Sequence, residues 1–232
     1  MRKNLIAGIA AVAALMSPAF AADMPYTPID VPPMPPVDYG LGDGFYLRGS
    51  VAGNGWWATD GVYCACITTF DTPGYGYSLG VGFGYENGSG FRTDVTFDYL
   101  SNWGLHSTTD HTVSLKSGLL MANAYYDFSF DGHASAAGGF GGYVGAGLGL
   151  AKNYSQVFDN TNTEIAWGTS LEGAAAIMTG VTYDMGQMVA DVGYRGIYMN
   201  KVMSQPPLPA DAYIINNNFI HEIRGTLRYR LQ

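Results

Sequence analysis

The sequence predicts an all-β fold: an eight-stranded antiparallel up-and-down transmembrane β-barrel, preceded by a signal peptide and a Pro-rich segment. Three observations predict it. From Phe45 onward, apolar residues recur with a period of two rather than 3.6. The connections between the alternating runs are long and short in turn. The charged residues gather on one face of those runs, leaving the other face almost uncharged.

Composition sets the outer limits. The chain has 232 residues, 32 of them Gly, with 14% aromatic and 13% charged residues. The charged share is about half the usual ~25%. So many aromatics with so little charge exclude disorder for most of the chain. Gly has no three-residue period, which excludes collagen. Mean hydropathy is +0.04, far below that of a helical membrane protein. The net charge of −8 gives no basic footprint for nucleic acid.

Residues 1–21 read as a secretory signal peptide. Arg2 and Lys3 precede the apolar run Leu5–Met16, Ser17-Pro18 breaks it, and Ala19-Phe20-Ala21 fits the small-x-small cleavage rule. The 12-residue run is too short to favour an uncleaved anchor, which needs about 20. The mature chain would begin at Ala22. Residues 22–43 form a Pro-rich periplasmic linker, with six Pro between Asp23 and Asp43 favouring an extended polyproline spacer.

Residues 44–232 form the barrel. The first run sets Phe45, Leu47 and Val51 against Tyr46, Arg48 and Ser50. The second places Tyr75, Tyr77, Leu79, Val81, Phe83 and Tyr85 on one face and glycines opposite. The third sets Phe91, Thr93, Val95, Phe97 and Tyr99 against Arg92, Asp94, Thr96 and Asp98. Further strands are expected near 112–128, 139–151 and 168–183, then Met188–Tyr198 and Phe219–Leu231. In 112–128 the apolar face changes parity between Leu119 and Ala124, which predicts a bulge or a different boundary. The connections 56–73, 101–111, 152–167 and 199–217 are long, and 86–90, 129–138 and 184–186 are short. In a meander this puts the long ones at one end, the asymmetry of outer-membrane barrels, with both termini periplasmic.

The charged face holds Arg48, Arg92, Asp94, Asp98, Lys116, Asp127, Glu172, Asp191, Arg195, Glu222, Arg224, Arg228 and Arg230. Seven basic and six acidic groups can pair inside a barrel whose apolar face meets lipid. Tyr75, Tyr85, Tyr99, Tyr183, Tyr198 and Tyr229 would form the interfacial girdles. A transmembrane helix over the uncharged stretch Ala134–Ala151 is disfavoured by its seven Gly, at about 1 kcal/mol each. A soluble β-sandwich would carry its charges on the outside.

Several segments carry a resemblance. They are Gly44-Phe45-Tyr46-Leu47-Arg48-Gly49, Ala124-Tyr125-Tyr126-Asp127-Phe128, Asp191-Val192-Gly193-Tyr194-Arg195 and the basic-aromatic last strand, behind a signal peptide and a Pro-rich lead. With them, residues 40–232 resemble the small alphaproteobacterial outer-membrane barrels, the surface-antigen and porin-like proteins of the OmpA-type superfamily. The chain ends Tyr229-Arg230-Leu231-Gln232, where relatives commonly end in an aromatic. The resemblance implies a barrel in the outer membrane of a Gram-negative bacterium. It implies an envelope-stabilising and surface-antigen role, with haemin binding in some relatives. Its implied partners are outer-membrane lipids, lipopolysaccharide and the barrel-assembly machinery. It also implies covalent attachment of Ala22 to peptidoglycan, since Ala22-Asp23 matches the start that such attachment uses.

Other chemistry is sparse. Cys64 and Cys66 lie in the first long connection, where an oxidising compartment favours a local disulfide or inert thiols. Two Cys alone do not make a metal site. His106 and His111 are candidate haem ligands by residue type, His133 falls in a short turn, and His221 on the lipid-facing parity near its outer end. No Ser/His/acid set stands out, so no catalysis and no cofactor are expected. Trp56, Trp57 and Trp103 fall at the outer rim. An eight-stranded section is filled by side chains. Inward glycines (76, 80, 82, 84, 139, 141, 145, 147 and 149) would leave space in it. A narrow porin-like path lined by Arg224, Arg228 and Arg230, biased toward anions, is therefore the alternative to a structural barrel. Haemin or host-surface binding through the outer loops is a third reading.

Overall fold

The computed structural model describes residues 44–63, 66–130, 139–204 and 213–231. The signal peptide, the linker with Ala22, Cys64 and His133 lie outside them. Ten strands form one antiparallel sheet: β1 (Gly44–Trp57), β2 (Asp60–Tyr63), β3 (Cys66–Thr72), β4 (Gly74–Glu86), β5 (Phe91–Ser107), β6 (Thr112–Ser129), β7 (Gly139–Phe158), β8 (Glu164–Asp184), β9 (Met188–Ser204) and β10 (Tyr213–Arg230). Pairing runs β1-β4-β5-β6-β7-β8-β9-β10, and β10 closes on β1 with Tyr46 opposite Arg230 and Trp57 opposite Phe219. The ring has eight strands. Closure leaves no edge, as lipid requires.

β2 and β3 do not add to the ring. Beyond the far ends of β1 and β4, β2 pairs with β10 and β3 with β5. The wall therefore continues upward, interrupted at Ala58-Thr59 and at Pro73, which has no N–H to donate. The expected long connections are largely strand. Segment 56–73 is a hairpin, 101–111 shrinks to a turn at 108–111, and 152–167 to one at 159–163. These segments keep alternating because the far end of the lumen must also be filled. Their outward positions turn polar (Lys116, Lys152, Asn200, Asn217), so the expected loops read as loops.

The outward face of the membrane band is apolar. On β4 it runs from Tyr75 to Tyr85, with Leu79, Val81 and Phe83 between them, all exposed. That length matches the 9–11 residues a tilted strand needs to span a bilayer. The six tyrosines expected as girdles all face outward.

Two expectations are corrected. β6 pairs with β7 from Thr112 to Ser129 without a register shift. Its odd-numbered residues face inward throughout, so Leu115, Leu119 and Met121 are buried in the lumen and Lys116 is exposed outside. Lys116 is therefore not a lumen charge. The parity change in sequence reflects an apolar far half of the lumen rather than a bulge. The irregularity sits on β5 instead, between Asn102 and Leu105, where Gly104 takes a φ of 79°.

Candidate functional site: the filled lumen

Among the described residues, the lumen gathers most of the buried charge. The alternation that exposes Phe45, Leu47 and Val51 turns Tyr46, Arg48 and Ser50 inward. The same parity turns Arg92, Asp94 and Asp98 inward on β5, Asp191 and Arg195 on β9, and Glu222, Arg224 and Arg228 on β10. Four layers result.

At the end where both described termini lie, Arg230 donates to Asp184 Oδ1 and Oδ2 at 2.9 and 2.8 Å and also pairs with Glu86. Arg228 lies 3.4 Å from Glu86, 3.7 Å from Asp127 and 3.8 Å from Asp191. Above it, Arg92 donates through Nε to Asp127 at 2.7 Å and stacks 3.9 Å over the Tyr125 ring. Asp94 accepts from Arg48 at 2.7 Å, from Tyr46 at 2.9 Å and from Asn123 at 2.8 Å.

The third layer is a quartet. Arg195 donates to Glu222 at 2.6 Å and to Asp98 at 2.8 Å. Arg224 donates to Asp98 at 2.7 Å, to Glu222 at 3.1 Å and to Ser50 at 2.9 Å. Ser78 donates to the other Glu222 oxygen at 2.8 Å. All four charged side chains are buried. Desolvating them is costly, and only multiple charge-assisted hydrogen bonds offset the cost.

The fourth layer is largely apolar, with Asn102, Ser155 and Asn218 buried within it. Trp56, Leu100, Leu105, Val113, Leu115, Val157, Val202, Tyr213, Ile215 and Ile220 are buried in one cluster. Trp56 was expected at the rim. It is fully buried, and its indole N–H donates to Asn218 Oδ1 at 3.1 Å. Trp57 and Trp103 do face outward.

The space beside the inward glycines described is taken up by their neighbours. A Cβ on Gly84 would come 2.5 Å from the Tyr46 ring and 2.6 Å from Asp94 Cβ, and one on Gly82 would meet Arg48 at 2.8 Å. Neighbouring side chains fill the room each glycine frees. Glu172 has inward parity but is only half-buried, and no partner is described for it. Sequence reasoning missed Glu86, Asp184, Tyr125 and Tyr143. Glu86 and Asp184 had been placed in short turns, although each continues the inward parity of its strand.

The histidines sit elsewhere. His106 Nδ1 is 3.4 Å from Asp71 Oδ1. His111 packs edge-on against Tyr63 and Tyr213, and this burial pushes its pKa below the ordinary value. His221 faces outward and shares a 2.7 Å hydrogen bond with the Tyr194 hydroxyl. Cys66 is exposed at the start of β3.

Among solved structures, the chain resembles Neisserial surface protein A, with a TM-score of 0.53 at 21% identity, over 82% of this chain and 99% of that one. The fold is that of the eight-stranded outer-membrane barrels. In sequence it is 28% identical to an uncharacterized protein of Brucella suis biovar 1 over 250 residues, covering 82% of this chain and 85% of the relative. An uncharacterized protein of Brucella melitensis biotype 1 matches with the same identity and coverage. No protein-family profile matches the chain.

Proposed function

We propose that this protein is a structural barrel of the Gram-negative outer membrane, with both termini periplasmic, which stabilises the envelope and presents its far-end turns as surface antigen. The observation that carries this reading is the filled lumen. The charged quartet and the largely apolar cluster around Trp56 fill the lumen one above the other, which supports a barrel closed to solutes. Arg224, Arg228 and Arg230, the residues an anion path would use, are each engaged by carboxylates. The resemblance to small alphaproteobacterial barrels and the Brucella relatives support the placement.

The lipid-facing belt would contact acyl chains, and the exposed Lys116 and Lys152 beyond it would meet lipopolysaccharide phosphates. Insertion would use the barrel-assembly machinery. Ala22 remains a proposed attachment point for peptidoglycan, tested by mass spectrometry of muramidase-digested sacculi. A free Ala22 amine as the only form would end that idea. The structural role is tested by deleting the gene and complementing it. Raised detergent sensitivity, reversed by the wild-type chain, together with labelling of intact cells by antibody to the 159–163 turn, is the expected result. Unchanged permeability without surface labelling would overturn it.

A further inference from the structure

Between the second and third layers of the lumen lies a small enclosed cavity lined by Arg48, Arg195, Arg224, Asp191, Tyr143 and Met178, among others. It offers about 10 Å³ to the centre of a water-sized sphere, room for a single small guest. Its wall has surplus donors. Arg48 Nε, Arg195 Nη2 and Arg224 Nε are buried and have no hydrogen-bond partner among the described residues. In Arg195 and Arg224 the other two nitrogens are already committed to carboxylates or Ser50, and Arg48 Nη1 is committed to Asp94 and Tyr125. Carboxylates are fewer than guanidiniums in the wall. Asp191 is the one carboxylate in the wall. Its Oδ1 accepts from Tyr143 at 3.5 Å and its Oδ2 faces Arg228 at 3.8 Å.

We propose that this cavity is a binding site for one monatomic anion, chloride in the cell, held by Arg48, Arg195 and Arg224. A guanidinium can only donate, so the wall calls for a guest that only accepts. A halide accepts from several donors at once. A water molecule would have to turn its two protons toward Asp191 Oδ2 and the tyrosine hydroxyl oxygens and would leave donors of the wall unmet, whereas a halide uses every donor it meets. A cation is repelled by the surrounding guanidiniums, and an oxyanion exceeds the volume. Leaving buried charged donors without partners is costly, so the bound ion would stabilise the folded barrel.

The test is to refold the mature barrel from urea in bromide with chloride omitted, so that the ion is captured as the lumen closes, and to collect anomalous diffraction at the bromine edge. The expected result is one bromide peak within hydrogen-bonding distance of the three arginine nitrogens. In parallel, the unfolding midpoint should be higher in chloride than in gluconate at equal ionic strength. Met178→Glu places a carboxylate in the cavity and should remove both the peak and the anion dependence. A cavity that shows only water density, or none, with midpoints equal in the two salts, would overturn the proposal. So would a bromide peak that persists in Met178→Glu. The wild-type barrel decides the matter whether or not that variant folds.

Discussion

Asp98 holds two arginines from two other strands, Arg195 and Arg224, with one oxygen each. Asp98→Ala would leave both buried guanidiniums short of a partner, and removing one side of a buried pair costs roughly 3–5 kcal/mol. Urea unfolding of the refolded barrel should show a loss of that size. Lys116→Ala should change stability by less than about 0.5 kcal/mol, because its side chain lies on the exposed surface. Equal losses would mean that Lys116 is inside after all. Trp56→Ala should cost about 3–5 kcal/mol through the cavity it opens, and Trp57→Ala much less. At this scale, inward placement was legible at most charged positions but not at Lys116, where both faces of β6 are apolar, nor at Glu86 and Asp184, where the strands run on into segments that read as turns. It was not legible at Trp56, because aromatic residues suit both the lumen and the interface.

The strands of the membrane band were legible for a plain reason. Lipid outside and paired charge inside impose opposite chemistry on alternate residues, as in β5 and the near halves of β9 and β10, while β4 alternates large apolar residues with glycines. β6 shows where that signal fails. Leu119 and Met121 face an apolar lumen while Leu120 and Ala122 face outward, so both faces are apolar and parity cannot be read. The far ends failed for the converse reason, since their outward faces are polar and look like loops. One consequence is testable there. Burial lowers the His111 pKa, so as pH falls the unfolded chain gains a proton before the folded one does. His111 therefore adds no penalty well above pH ~6.5, and far-end stability is lost as pH falls through that value. An NMR titration of His111 should give a midpoint below ~6.5, and Tyr213→Ala, which uncovers the ring, should move it back up. A midpoint unmoved by Tyr213→Ala would contradict this packing. In the nearby turn, hydrogen bonds from the Thr161 side chain and the Thr163 and Thr161 backbone lower the Asp159 pKa in the same way. That contribution persists at neutral pH and fades only in strong acid.

For the whole molecule, a charged half and an apolar half are stacked inside one closed wall. On the proposed reading, the paired arginines and carboxylates would exclude apolar solutes and the layer around Trp56 and Leu115 would exclude ions. Eight strands, closure and apolar belts were legible in the sequence. A filled, paired lumen is the leading reading of the sequence, while the inward glycines suggest space that the neighbouring side chains take up. The most direct test is single-channel recording of the refolded barrel in planar bilayers, with folding verified by heat-modifiable gel mobility. A folded barrel that gives no discrete conductance steps is the predicted result. Reproducible anion-selective steps from the folded species would contradict the sealed lumen.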